Sequence, residues 1–439
     1  MSKQTADIPE GYRMTELGPL PEEWHVAKGA EVFSVVERST RKTHVRDDEE
    51  YTLLSCQLYG RGVVEKEQVR GTGLKTKVWY RVRSGDFILL KIWARRGSYG
   101  FVKPAHDGAI VSGDYPILQL NRGLCYGAFL EWYLSRPQVW ESLSYGATGA
   151  TNRQRVHERE FLRILRVPLP PLAEQKKTAA VLSTVQQAKE KTEAVIAALR
   201  ELKKSLMKHL FTYGPVPLDE AGSVRLKETE VGMVPEHWEV VPLGEVLKQT
   251  QYGLSVKGQR QGRHPILRMS NLEDGHVTAR DLQYVDLDER TFGKFSLHAG
   301  DVLFNRTNSI DLVGKTAIFG AITPFVFASY LIRLVADKAR LAPDYLNSYL
   351  NTQATQARLK MLASRGVSQS NISATKLRGF LVPLPPVAEQ LHIADQLCQV
   401  ETALSKEESK ESALAQLFRT LLNDLMTARI RVNDLEVGA

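Results

Sequence analysis

The stretch that decides the reading is "PLPPLAEQ", residues 168–175, because the chain repeats it as "PLPPVAEQ" at residues 383–390. With the two copies laid over each other at an offset of 215, Val167 to Gln175 match Val382 to Gln390 everywhere except Leu172/Val387. The match continues as a spaced pattern: Ala179/Ala394, Leu182/Leu397, Val185/Val400, Ala188/Ala403, Leu199/Leu414, Leu206/Leu421 and Leu210/Leu425. Apolar matches three or four residues apart mark one face of a helix. The intervening Lys, Glu, Gln and Ala are good helix formers. Pro170–Pro171 suits a helix start, with Glu174 in the first turn where the helix dipole favours an acid, and Gly214–Pro215 suits a stop. The spacing predicts one helix from about Pro171 to Phe211, roughly 60 Å long at about 1.5 Å per residue. A second of similar length runs from Pro386 to about Arg429.

Helices that long with a narrow apolar stripe need a partner, and each copy is the obvious partner of the other. Lys189, Thr192 and Lys203 interrupt the stripe of the first, so the expected coiled coil is irregular. The repeat also extends backwards. "LGPLPEEW" (17–24) resembles "VGMVPEHW" (231–238), and "GDFILLKIWARRGS" (85–98) stands where "GDVLFNRTNSID" (300–311) does. The chain is a tandem duplication. Its expected parts are a lead-in (1–24), a first globular block (25–170), a central helix (171–213), a linker repeating the lead-in (214–237), a second block (238–385), a C-terminal helix (386–430) and a tail (431–439). The blocks carry short β-rich runs broken by Gly, Asp and Asn, followed by short helical stretches, and read as mixed α/β domains. The fold class is α+β: two such domains with two long antiparallel helices as spacer, in a pseudo-two-fold repeat.

Composition limits what this architecture does. The 439 residues suffice for two or three cores. No run approaches the ~18 apolar residues of a membrane helix. The N-terminus has no apolar core of a signal peptide. Three cysteines, Cys56, Cys125 and Cys398, with no CxxC spacing, point to reduced thiols, a cytoplasmic location and no structural zinc. The net charge of +8 is unevenly spread. Residues 25–166 hold 23 Lys+Arg against 15 Asp+Glu, and residues 239–381 hold 18 against 12, so the blocks carry +8 and +6 and the remainder −6. Two basic modules on a spacer suit binding of phosphates at two places.

The doubled word, doubled helix and divergent blocks resemble the specificity subunit of type I restriction–modification systems, over about Tyr12 to Arg429. The resemblance implies a non-catalytic subunit of a DNA adenine-N6 methyltransferase and endonuclease complex. Each block would be a target-recognition domain reading one half of a bipartite, gapped sequence in double-stranded DNA, with the helices setting the gap. Two methyltransferase subunits and restriction subunits would be its partners. S-adenosylmethionine, and ATP with Mg, are expected on those partners and no cofactor on this chain. The cell would be bacterial or archaeal. A specificity module of a methylation-only or related system is the alternative, and a coiled-coil protein adaptor without DNA binding a more distant one.

The residues agree on the lack of catalysis. "LPPL" and "LPPV" lack the Asn/Asp and the aromatic of an adenine methyltransferase tetrapeptide. "VGKT" (313–316) is not a P-loop, since Ser309 stands where the first glycine belongs and a strand follows. Gly314–Lys315 reads as a hairpin closure.

Base readers should be polar side chains in block loops, with Arg suited to guanine and Asn or Gln to adenine. In the first block the candidates are Lys91, Arg95, Arg96, Ser98 and Tyr99; in the matching place of the second they are Asn305, Arg306, Thr307 and Asn308, with Lys315 beyond. A further pair precedes the repeated word: Asn152, Arg153, Gln154 and Arg155 against Ser368, Gln369, Ser370 and Asn371. The resemblance places this region near DNA. "ERSTRKTHVR" (37–46) and "TQYGLSVKGQR" (250–260) are weaker candidates. Each residue could equally be a solvated hairpin tip, and arginines here are equally able to hold phosphate, which positions without specifying.

Overall fold

A computed structural model describes residues 8–145, 155–320, 324–365 and 369–434. The chain divides into two compact units, Met1–Thr192 with Lys410–Ala439, and Glu193–Ser409. Each unit therefore contains one globular block and part of each long helix.

The long helices run Leu172–Tyr213 and Val387–Met426. Within the second unit Arg200 meets Glu408 at 2.8 Å and Lys203 meets Glu401 at 2.8 Å. Numbers rise in one helix as they fall in the other, so the pair is antiparallel. Within the first unit Lys189 meets Glu411 at 3.6 Å. The polar residues that break the apolar stripe are thus accommodated. Two lysines reach acids across the seam, and the buried Thr192 hydroxyl donates to the Ala188 carbonyl one turn back. Gly214 ends the first helix in the left-handed region, φ +80°, where a side chain would be strained.

The two blocks share a four-stranded antiparallel sheet. In the first its order is Tyr99–Phe101, Asp86–Leu89, Ile117–Leu120, Phe33–Val35. In the second it is Thr316–Ile318, Val302–Asn305, Leu331–Ala336, Leu247–Tyr252, extended past Thr316–Ile318 by Gly275–Val277 and Leu272–Glu273. Its second strand opens alike in both. Gly85 and Gly300 take φ +84° and +93°, and the next residue, Asp86 or Asp301, accepts from the backbone amide three residues back at 2.8 Å. Each aspartate also holds an arginine, half-buried Arg41 at 3.1 Å and buried Arg333 at 2.8 Å. These arginines come from unrelated places in the two blocks, so the ion pair is kept while its source has changed.

Beyond the shared sheet the blocks diverge. The first adds a five-stranded sheet, Lys42–His44, Val78–Arg81, Ile110–Val111, Glu50–Cys56, Val63–Arg70. The second adds two small ones, Gln283–Val285 with His264–Leu267 and Val326–Phe327, and Thr307–Asn308 with Ser370–Asn371 and Ser364–Arg365. Helices Gly127–Leu134 and Pro137–Ser144 in the first, Pro343–Leu350 and Gln353–Leu362 in the second, close the cores. The first core centres on Phe33, Phe87, Tyr99 and Phe161, with the Phe33 and Phe87 rings 4.7 Å apart.

The repeated word has a structural meaning. Its leading residues form a strand, Arg166–Leu169 or Leu381–Leu384, that pairs antiparallel with the first strand of its own block, His25–Lys28 or Glu239–Pro242. The diproline then turns the chain into the helix. The closing glutamine is wholly buried in both copies and makes the same three bonds. Gln175 Nε2 donates to the carbonyls of Leu124 (3.1 Å) and Pro170 (2.8 Å), and its Oε1 accepts from the Tyr126 amide at 2.7 Å. Gln390 does the same with Arg340, Pro385 and the Ala342 amide, each at 2.8 Å. An amide side chain suits the junction because its NH2 supplies two donors and its oxygen an acceptor, and Gln has the reach. Apolar substitution would strand three buried backbone groups.

The preceding glutamate differs between copies. Glu389 accepts from Trp238 Nε1 at 2.9 Å and meets His237 at 2.8 Å. Glu174 instead takes a two-pronged bond from Arg431, at 3.0 and 2.6 Å. Arg431 also binds Glu23, and the Tyr12 hydroxyl donates to the Ala428 carbonyl at 2.8 Å. The N-terminal lead-in, with its hairpin Tyr12–Thr15/Gly18–Pro21, therefore rests on the segment that follows the second helix. The same hairpin in the second unit, Leu226–Thr229/Gly232–Pro235, follows the first helix in the chain itself.

No helix among the described residues is long and apolar enough to cross a membrane.

Candidate nucleic-acid interface

The shared sheet ends, in each unit, in a polar corner with the same backbone wiring. Lys91 lies two residues beyond the strand Asp86–Leu89, and Arg306 directly after Val302–Asn305. The Lys91 amide donates to the Asp114 carbonyl at 3.2 Å and its carbonyl accepts from the Val156 amide at 3.0 Å. The Arg306 amide donates to the Tyr330 carbonyl at 3.0 Å and its carbonyl accepts from the Ile372 amide at 2.9 Å. Val156 and Ile372 are wholly buried, which anchors the segment before the repeated word beneath the corner. The side-chain cations then bend to the preceding carbonyl in each case: Lys91 Nζ to Gly113 at 3.4 Å, Arg306 Nη1 to Ser329 at 3.2 Å. The two candidates that the offset of 215 paired are thus structurally one position.

Around that position the two corners differ. In the first unit Arg38 lies over the Tyr80 ring at 5.2 Å and also donates to the Gly113 carbonyl, at 2.9 Å. Arg155 approaches Asp114 at 3.7 Å. Lys91 is partly desolvated and has Arg38 beside it, and burial first, then that like charge, pull its pKa below the usual lysine value. This corner is a group of three cations, with Glu158 and Asp114 as the acids acting on Lys91.

In the second unit the corner is aromatic and amide-rich. Arg306 lies over the Tyr252 ring at 4.9 Å, and the Tyr252 hydroxyl accepts from the Ala374 amide at 2.8 Å. Thr307–Asn308 and Ser370–Asn371 form adjacent strands, joined further by the Thr307 hydroxyl donating to Asn371 Oδ1 at 2.9 Å. Two loops picked from sequence, 305–308 and 369–371, are therefore one surface. Tyr252 and Tyr330 expose 42% and 43% of their surface there, enough for a ring to meet a base or sugar. Lys376, on the short helix Ala374–Arg378, donates to Ser364 and to the Leu362 carbonyl, both at 3.0 Å.

The remaining candidates separate by burial. Arg96 is exposed over the Trp93 ring at 5.2 Å, and Arg95 is half-buried in the same turn. Asn308 accepts the Ser309 amide, and Gln369 is exposed. Lys315 is half-buried at the end of the 309–315 loop, after Gly314 at φ +92°. Four candidates are corrected. Ser98 is fully buried and its hydroxyl donates to the Cys56 carbonyl at 2.7 Å. Tyr99 is buried with its hydroxyl on the Leu134 carbonyl at 2.9 Å. Asn305 is buried and donates to the Leu312 carbonyl at 3.2 Å, holding the 309–315 loop from beneath. Ser370 is buried in the small sheet. These four shape the corners from inside and present nothing to a ligand. Asn152, Arg153, Gln154 and Ser368 lie outside the described residues.

Sequence reasoning passed over the turns Gly113–Asp114 and Ser329–Tyr330, whose backbone carbonyls organise both corners. The "SGDYP" turn signal was the available clue in the first block; the second has none comparable. Among the described residues no group of three His, Cys, Asp or Glu could hold a metal.

Residues 235–414 match the family model described as the type I restriction modification DNA specificity domain. It is similar to the type I restriction enzyme MjaVIII specificity subunit of Methanocaldococcus jannaschii, 25% identical over 427 residues, covering 95% of each chain. It is also similar to the EcoKI specificity subunit of Escherichia coli K12, 28% identical over 274 residues, or 58% of this chain and 57% of that one. Two solved structures share the fold. One is the S subunit from M. genitalium, with a TM-score of 0.57 at 14% identity over 92% of this chain and 96% of that one. The other comes from work on complex assembly and conformational transition of a type I system, with a TM-score of 0.52 at 19% identity over 93% and 98%. The two corners are the part of each unit that differs on a shared frame.

Proposed function

We propose that this chain is the DNA sequence-specificity subunit of a type I restriction–modification complex and has no catalysis of its own. Each unit reads one half of a bipartite target through its polar corner. The observation that carries this reading is the pair of corners: identical backbone wiring at Lys91 and Arg306, with different side chains around each. A protein that reads two unlike half-sites needs a constant frame and variable edges, and the basic blocks supply the electrostatic attraction to the phosphates.

The rest of the mechanism follows from mechanics. A double helix repeats every ~34 Å, so readers on one face sit about one turn, or a multiple, apart. Paired helices of 42 and 40 residues are stiff enough to set such a spacing. The partners in this reading are double-stranded DNA, methyltransferase subunits that bring S-adenosylmethionine, and restriction subunits that bring ATP and Mg, in the cytoplasm of a bacterium or archaeon.

The test is the methylome of a host with and without this gene, alongside the neighbouring methyltransferase gene. A two-part, gapped N6-methyladenine motif that appears only with this gene is expected. Unaltered methylation, with the protein soluble and bound to the methyltransferase, would refute the reading.

A further inference from the structure

We propose that Lys91 and Arg306 are one contact made twice: each holds a DNA backbone phosphate beside its half-site and carries no base information. The inference rests on the chain binding DNA at both corners. Among the described side chains at the equivalent places of the corners, these two alone keep the same charge. Asp114 corresponds to Tyr330, since their carbonyls accept from the Lys91 and Arg306 amides. Arg155 corresponds to Asn371, each directly preceding the buried residue whose amide bonds the corner. By the register of the edge strands, Glu37 and Arg38 stand where the second unit has Tyr252 and Gly253. A side chain that reads a base should change when the half-site changes, whereas the phosphate is the same in every sequence.

The local chemistry favours an anion. Lys91 sits partly out of water beside Arg38, two like charges sharing the Gly113 carbonyl, and the nearby Asp114 is engaged by Arg155. Burial first, then the Arg38 charge, lower the lysine pKa against the pull of Glu158 and Asp114, and a bound phosphate would favour the charged form. Arg306 is held flat by the Tyr252 ring, and among the described residues only its Nη1 finds a hydrogen-bond acceptor. Both cations donate to a backbone carbonyl, Gly113 or Ser329, a group every residue supplies, so this hold on them survives changes in the neighbouring side chains.

The test uses the full chain assembled with its methyltransferase subunit. Binding to motif-bearing and motif-free duplexes is titrated with salt for wild type, Lys91→Gln, Arg306→Gln and Lys91→Arg, and the methylome of each is sequenced. Each Gln variant should lose the same several-fold affinity, about five- to tenfold, for both duplexes, and lower the salt slope by about one ion. The methylated motif should stay unchanged in both halves, and Lys91→Arg should restore the wild-type slope. A motif relaxed at one base position, or affinity lost for the motif-bearing duplex alone with the slope intact, would overturn the inference. Wild type without salt-dependent DNA binding would instead sink the functional reading on which it rests. Gln keeps most of the side-chain stem, and circular dichroism of each variant checks that the fold is retained.

Discussion

Replacing Gln390 by Met keeps the length and nearly the volume of the side chain but removes its donor and its acceptor. The carbonyls of Arg340 and Pro385 and the amide of Ala342 each lose a bond of 2.8 Å at a site with no exposed surface. A buried backbone group left unpaired costs about 1–3 kcal/mol. Three such groups, with some relaxation, should destabilise the junction by about 3–6 kcal/mol, a large part of the ~5–15 kcal/mol typical of a domain. Because the volume is conserved, little of this comes from a cavity. Native-state hydrogen exchange read by mass spectrometry isolates the effect, since Ala342 donates directly to the lost oxygen. At about 1.4 kcal/mol per tenfold, exchange at Ala342 should accelerate by at least about 100-fold. The internal control is Tyr126, whose amide is held by Gln175 in the other unit and should keep its wild-type rate. Gln175→Met should give the mirror result. A change at Ala342 below about threefold, or equal acceleration at both amides, would refute the claim that the repeated glutamine is a local clamp.

Three further outcomes are expected. Arg431→Met leaves the buried Glu174 carboxylate without its two-pronged partner and should lower the stability of the first unit by about 3 kcal/mol in thermal unfolding, while the double variant Arg431→Met/Glu174→Gln should recover much of it. His276 bonds Glu401, which also holds Lys203 at 2.8 Å; the bond to Glu401 raises the His276 pKa above its usual 6.5. Burial pushes Glu401 up, but its bonds from His276 and Lys203 outweigh this and leave it below the usual 4.5. The histidine's contribution is complete below pH 6.5 and is lost as pH rises through its elevated pKa, while the glutamate's is present above 4.5 and lost as pH falls through its depressed one. His276→Gln should therefore flatten the fall in stability of the second unit from about pH 6 to 8 by less than about 1 kcal/mol, screening limiting the half-exposed pair, as denaturant titrations at several pH values will register. Four residues added to both long helices, near Ala194 and near Ser409, lengthen them by about 6 Å, and the methylated motif should widen its gap by about two base pairs, a result that an unchanged gap would rule out.

What could be read in the sequence follows the range of the interactions. The long helices were legible because their apolar contacts recur at a fixed local period and occur twice. The pairing of Lys91 with Arg306 was legible because "GD" opens the same strand in both blocks and fixes the register. Ser98, Tyr99 and Asn305 misled because polarity in a loop looks the same whether the group meets water or a backbone carbonyl, here of Cys56, Leu134 or Leu312. The turns at Gly113 and Ser329 act through backbone oxygen atoms, which every residue has, so no side chain announces them. The exchange of Trp238 for Arg431 as partner of the glutamate was equally hidden, since the word around it reads alike in both copies.

The short ladder at the foot of each block has a consequence for how such a chain can change. His25–Lys28 lies against Arg166–Leu169, and Glu239–Pro242 against Leu381–Leu384, so the first and last strands of each block are neighbours hydrogen-bonded over four residues. A segment whose ends already touch can be exchanged for another of different length without moving what lies on either side. The block is thus a replaceable bit in a fixed chuck, gripped by four residue pairs and a buried glutamine. A new bit alters what is read and leaves the grip, and the helix that leaves it, where they were.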